Sequence, residues 1–315
     1  MDLTIQIITR NNRDVIRNTI ESAKSITNKI LIGDISSQDG TPELCKKLGC
    51  SVINFEPKTA QDYARNKLIQ LSDTEWQMWL NPWEIVVQGQ QHIGKNDQQI
   101  VSIFQENTLT KETRVWNKSS RLKFKNPIYE TLGIVGQNSP ITIYSSSKYD
   151  YEYNLHMTEE WKSRCPTIPE PYYYYALTLL SQGKYDLFLN ASEHYMFLEQ
   201  KPTKSNIINR YYYSLIQIYH KKNIKPALQN INICISVQPL MAEFWCLIGD
   251  IYYHMYNKFT TAKDFYQNAI FLGSHRMNND NYPMDISKYK EYPEKMINSC
   301  DEIMSQNLSF FKQVK

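Results

Sequence analysis

Residues 1–85 alternate short apolar runs with amphipathic helical stretches, and no other feature limits the fold of this chain as much. Leu3, Ile5 and Ile7 mark a strand, after which Asn11 or Asn12 offers an N-cap to a helix with Val15, Ile16, Ile20 and Ala23 on one face. Lys29 to Asp34 (KILIGD) is a second buried strand, and SSQDG after it is turn chemistry. Thr41 as N-cap, Pro42 at the first helical position and Glu43 near the positive end start a second helix, which Gly49 stops. Ser51 to Phe55 is the third strand. A stripe of Ala60, Ala64, Leu68 and Leu71 is the third helix, and WQMWL is the fourth strand. Strands separated by helices at this spacing predict a parallel, doubly wound sheet.

Ligands of such sheets bind outside the carboxyl ends of the strands, so the informative residues are Thr9, Arg10 and Asn11, then Asp34, then Asn81 to Glu84. Taken alone, Asp34 and Asp39 also read as plain turn residues. No GxGxxG or GxxxxGK[ST] occurs, which argues against a dinucleotide fold and a P-loop NTPase.

In order and spacing, IQIITRNN, ILIGDISSQDGT and DYARNKLIQLSDTEWQMWLNPWE resemble the nucleotide-binding half of family-2 glycosyltransferases with the GT-A fold. GDISSQDGT is the most specific match, and Asp62 to Asn66 (DYARN) resembles the helix before that family's metal-site strand. The resemblance implies Thr9 and Asp34 near the base and ribose of a nucleotide diphosphate, with Arg65 facing the phosphates.

The same resemblance implies an acidic motif for Mg or Mn at the end of the fourth strand. This chain instead has Leu80, Asn81, Pro82, Trp83 and Glu84, so only the trailing carboxylate remains. A hard divalent cation bound with substrate phosphates ordinarily keeps one or two carboxylates. Three alternatives stay open. A metal is held weakly by Asn81, Glu84 and the diphosphate; cations such as Arg10, Arg65 or Lys67 replace it; or catalysis is lost. Trp83 is either a stacking surface for a sugar or base or a buried support beneath the strand end.

Beyond Glu84 the helices stop, and Gln98 to Gln105, Glu112 to Trp116 and Pro140 to Tyr144 read as strands of a mixed-sheet extension. ETRVWNKSSRLKFKNPIYETLG resembles the acceptor-side segment of the same family, with Tyr129-Glu130 in place of a His-Glu pair. Inverting transfer needs a base for the acceptor hydroxyl, and Glu130 is the candidate, against the alternative of a loop carboxylate.

Tyr144 to Asn154 reads as a polar, tyrosine-rich linker, and the rest of the chain repeats at about 35 residues. Tyr174, Tyr211 and Trp245 begin comparable helices, Ala191, Ala227 and Ala262 sit in their partners, and Pro202 and Pro239 close two units. This resembles tetratricopeptide repeats, which stack and leave a concave surface for peptides or another subunit. The tail from Tyr282 is expected to cap the array.

The expected architecture is therefore an α/β, GT-A-like (Rossmann-like) nucleotide-sugar-binding domain over residues 1–150 and an all-α, tetratricopeptide-like helical repeat domain over 151–315. The expected function is inverting transfer from a nucleotide diphosphate sugar, a UDP-sugar being favoured, to a protein, peptide or glycan acceptor. The rival is a catalytically inactive scaffold. A homodimer through the repeats is one expected partner. The net charge of +3 gives no basic stripe for nucleic acid, and no apolar run is long enough to span a membrane. The six scattered cysteines without CxxC spacing read as free thiols of a reducing, cytoplasmic compartment.

Overall fold

A computed structural model describes residues 2–146, 150–276 and 280–313, and the chain divides into two compact units, Met1–Trp161 and Lys162–Lys315.

In the first unit β1 (Leu3–Thr9), β2 (Ile30–Ile35), β3 (Ser51–Phe55) and β4 (Trp76–Leu80) alternate with α1 (Ile16–Lys24), α2 (Thr41–Lys47) and α3 (Gln61–Leu71). These strands pair in parallel as expected. They are joined by β5 (Glu84–Gln88), β6 (Gln98–Gln105), β7 (Thr108–Asn117) and β8 (Gln137–Ser145), in the sheet order β3-β2-β1-β4-β7-β6-β8-β5. The β4/β7, β6/β7 and β5/β8 ladders are antiparallel and β6/β8 is parallel, so the extension is mixed.

Every residue of β1 is buried because both faces of the sheet are covered. Leu3, Ile5 and Ile7 point to one face, where they pack with Ile16, Ile20 and Ala23 of α1 and Cys45 of α2; Ile8 points to the other, against Ala64 and Leu68 of α3. Gln6 lies inside this core, where its Nε2 donates to Gln77 Oε1 at 2.7 Å.

Several expectations shift. The first helix starts at Ile16, with the Asn12 carbonyl accepting from the Val15 and Ile16 amides; the Asn12 side chain is committed to the β1–α1 loop and does not cap it. Gly40, at φ 80°, precedes α2, so Thr41 is the first helical residue and not its cap. Leu71 is 48% exposed, outside the buried stripe of Ala64 and Leu68. Of the expected linker, Tyr144 and Ser145 belong to β8, residues 147–149 lie outside the described residues, and Tyr151 opens α4 (Tyr151–Arg164). The division of the chain falls within α4, whose Tyr153 and Met157 pack on Ile128 of the first unit.

The second unit is all helical apart from short stretches. Its helices pair as α5 (Pro169–Ser181) with α6 (Tyr185–Leu198), α7 (Lys204–Tyr219) with α8 (Ile224–Val237), and α9 (Ala242–His254) with α10 (Phe259–Ser274). Ala191, Ala227 and Ala262 are buried at the matching places in the second helix of each pair. Tyr174, Tyr211 and Trp245 lie inside their helices, and do not begin them as the sequence reading expected. Then α11 (Glu291–Gln313) packs on α10 and closes the array, with Val314 and Lys315 of the expected cap outside the described residues. The architecture is thus a Rossmann-like α/β unit followed by tetratricopeptide-like helical repeats.

Candidate functional site

Register sets the site. Thr9 faces Asp34 across the β1/β2 ladder and Ile7 faces Leu80 across β1/β4, so the carboxyl ends of the three strands finish side by side.

The loops after β1 and β2 are bonded to each other. Asp34, 2% exposed, accepts from the Ser37 amide at 2.9 Å and from the Ser37 hydroxyl at 2.5 Å. The Ser37 hydroxyl accepts in turn from the Asn11 amide, and Asn11 Oδ1 accepts from the Gln38 amide. Thr9 is buried and donates its hydroxyl to Asn12 Oδ1. In the DGT turn, Asp39 accepts from the Thr41 amide and hydroxyl and the Arg13 amide. Burial pushes the Asp39 carboxyl up, but these hydrogen bonds outweigh it and hold it below the ordinary range. Arg10 is half-buried; it donates to the Ile35 carbonyl and to Asp150 and lies over the Tyr153 ring.

At the end of β4 the chain builds a buried network of four charges. Arg65, 1% exposed on α3, donates from Nε to Glu130 at 2.8 Å, from Nη1 to the Gln6 and Leu80 carbonyls, and from Nη2 to Asn81 Oδ1 at 3.2 Å. Asn81 gives both its amide and its side-chain NH₂ to Glu84, at 2.7 and 3.0 Å. Arg114 of β7 grips the same carboxylate with two bonds of 2.7 and 2.9 Å, and its Nη2 also pairs at 3.0 Å with the more exposed Glu112. Both guanidinium groups lie over the Trp79 indole, at 4.7 and 3.5 Å, and that ring is anchored through its Nε1 to the Thr113 carbonyl. Burial pushes Arg65 down and Glu130 restores only part, leaving it below its ordinary value. Burial acts on Arg114 too, but Glu84 and Glu112 more than offset it and it ends above.

The residues that the sequence marked at the end of β4 are brought together. Arg65 is buried, and its Nε and Nη1 groups bond inside the domain. Asn81 and Glu84 do not fit a metal. All four hydrogen bonds that reach Glu84 come from Arg114 and Asn81, and the Asn81 oxygen that a cation would need already faces the positive charge of Arg65. Among the described residues no group of three or more His, Cys, Asp or Glu side chains has metal-holding geometry. Glu130, with a side chain 7% exposed, is the carboxylate of the network outside the strand-end turn, and one oxygen carries the Arg65 bond. Trp83 is half-buried and its carbonyl accepts from Ser146; Lys67 is exposed. Arg114 was missed by the sequence reading. Its signal was an arginine alternating with Glu112 and Trp116 in a strand whose neighbours Val115 and Trp116 are core residues.

Among solved structures, the chain is similar to the crystal structure of S. aureus TarS, at 11% identity and TM-score 0.40 over 72% of this chain and 54% of that one, so it spans about half of that protein's length. A shorter TarS 1–349 in complex with UDP matches at 10% identity and TM-score 0.38, over 76% of this chain and 92% of that one. MamA 41-end from Desulfovibrio magneticus RS-1 matches at 17% and 0.38, over 52% and 86%. No curated protein shows significant sequence similarity to this chain. Residues 4–82, a segment that takes in β1 to β4 and ends in the strand-end turn, match the family model described as Glycosyl transferase family 2.

Proposed function

We propose that this chain is a glycosyltransferase that moves a sugar from a nucleotide diphosphate donor, a UDP-sugar foremost, onto a protein, peptide or glycan acceptor with inversion at the sugar carbon. The observation that carries the reading is the family match over residues 4–82 together with the position of Glu130, a nearly buried carboxylate oriented at 2.8 Å by Arg65 beside the carboxyl ends of β1 and β4.

Glu130 is the group that takes the proton from the acceptor hydroxyl as its oxygen attacks the sugar carbon and the nucleoside diphosphate leaves. The Arg65 bond fixes one carboxylate oxygen, which orients the other and spares it the entropy of a free side chain. The interlocked loops carrying Arg10, Asn11 and Asp34 are the proposed base and ribose contacts, since each retains acceptor or donor capacity beyond the bonds within the loops. Arg65, balanced by Glu130 and bonded through Nη2 only to Asn81 among the described residues, is the cation proposed to face the diphosphate through its remaining N–H. The repeats are proposed to take the acceptor or a second copy of the chain, in a cytoplasmic setting consistent with free cysteines.

A second reading has one observation behind it: Arg65, Asn81, Glu84, Arg114 and Glu130 bond to one another inside the domain, as in a structural core, which favours an inactive scaffold. A panel of UDP- and other nucleotide sugars tested by thermal shift and by mass spectrometry of released nucleotide separates the two. A donor that raises Tm and is turned over supports transfer; no shift with any donor supports the scaffold.

A further inference from the structure

The strand-end turn is held by charge pairing that leaves nothing for a cation. Two arginines and two glutamates, all with side chains no more than 7% exposed, sum to zero charge, and the remaining carboxylate at the rim, Glu112, is itself paired with Arg114 at 3.0 Å. A Mg or Mn ion sheds water only for oxygen ligands that bring negative charge and octahedral geometry. Glu84 presents its oxygens to four N–H donors, so a metal has to displace a bidentate guanidinium that is fully buried and stacked on Trp79. The displaced Arg114 charge then keeps only Glu112 at the rim as a partner, and a buried charge that loses its buried partner is among the costliest defects a core can carry.

We infer that the donor site of this chain works without a divalent cation, Glu84 serving as the counter-ion that fixes Arg114 and Asn81 and not as a ligand. The description of the site as a donor site rests on the glycosyltransferase reading; the absence of a cation there rests on the network alone. Asn81 is the hinge of the arrangement. Its amide oxygen faces Arg65 and its amide nitrogen faces Glu84, so one neutral side chain joins two ion pairs of opposite orientation. An aspartate in its place puts a second carboxylate at hydrogen-bond distance from Glu84 and loses the donor.

The test uses the full chain. Mn²⁺ is titrated into it by electron paramagnetic resonance of free Mn²⁺, and UDP binding is measured by calorimetry in EDTA and in Mn²⁺. The expected results are no saturable Mn²⁺ site even at roughly millimolar concentrations, the weak end for oxygen-ligand sites, and UDP affinities within about twofold of each other in the two buffers. Glu84→Gln is expected to lower Tm while leaving the Mn²⁺ isotherm unchanged. A saturable site of one Mn²⁺ per chain, or UDP binding that rises about tenfold or more with Mn²⁺, overturns the inference. If UDP binds in neither buffer, the glycosyltransferase reading fails and the Mn²⁺ isotherm still decides this one.

Discussion

Arg65 and Arg114 both sit over Trp79, yet they serve different ends. Arg114 is locked by a bidentate pair that has no solvent face, whereas Arg65 reaches Glu130 through a single bond and leaves that carboxylate an oxygen to use. From this we expect Glu130→Gln to cut transfer by about 10²-fold or more while changing UDP affinity little, because the amide still accepts from Arg65 but no longer takes a proton. Single-turnover rates beside calorimetry check it, and near-normal rates return Glu130 to the loop. Which residues meet was legible in part. GDISSQDGT and DYARN pointed to Asp34 and Arg65, since motif spacing reports which strand end a residue follows. Burial was not legible. Arg65 lies one residue from Ala64 on the edge of an apolar stripe, and a sequence does not say that β7 will bring Arg114 to the far side of Trp79.

Among the elements, β5 was hidden because Asn81-Pro82 reads as the end of a strand, whereas the chain turns and pairs Glu84 with Ser145 of β8. The strand exists through a partner 61 positions away in sequence (145 − 84), which no local pattern encodes. The repeats were easier, because their period is local, and Gly249 marks the tightest contact. A methyl there meets the Tyr266 ring at 2.6 Å, and that ring is pinned through its hydroxyl to Asp250. Gly249→Ala is therefore expected to cost about 1–3 kcal/mol despite its better helix propensity, read as a lower urea midpoint; an unchanged or raised midpoint shows that the pair gives way freely. Asp250, 2% exposed, accepts from the hydroxyls of Tyr219, Tyr266 and Tyr292 at 2.6, 2.7 and 2.6 Å, tying α7, α9, α10 and α11 together. Burial first, then the Asp250 charge, raises all three phenols above the ordinary value. A folded value above the unfolded one gives stability that is complete below about pH 10 and is lost as pH rises past it. Tm should fall over that range, and less steeply in Tyr292→Phe; parallel profiles for the two proteins count against the cluster.

On the scale of the whole chain, the stretch that composition marks as a linker holds part of the first unit in place. A polar, tyrosine-rich stretch looks like a linker, but its Tyr153 is an anchor. Tyr153 packs on Ile128, donates its hydroxyl to the Thr59 carbonyl and receives Arg10 over its ring, while Asn154 donates to the Tyr129 hydroxyl next to Glu130. The start of α4 thus braces both the segment that carries the candidate base and the loop before α3. A chain ending after Asn154 keeps these two residues in a helix fragment too short to hold itself, because isolated helices below about 12–15 residues are marginal in water. It also lacks Met157. A chain ending after Arg164 keeps all of α4. The longer truncation is expected to melt cooperatively, and the shorter one several degrees lower, by the order of 2–4 °C per kcal/mol for a unit of this size. Since Tyr129 and Glu130 are adjacent, the shorter chain should also bind UDP more weakly than the longer one. Equal melting temperatures and equal affinities for the two truncations show that α4 braces nothing and that the unit ends where its composition changes.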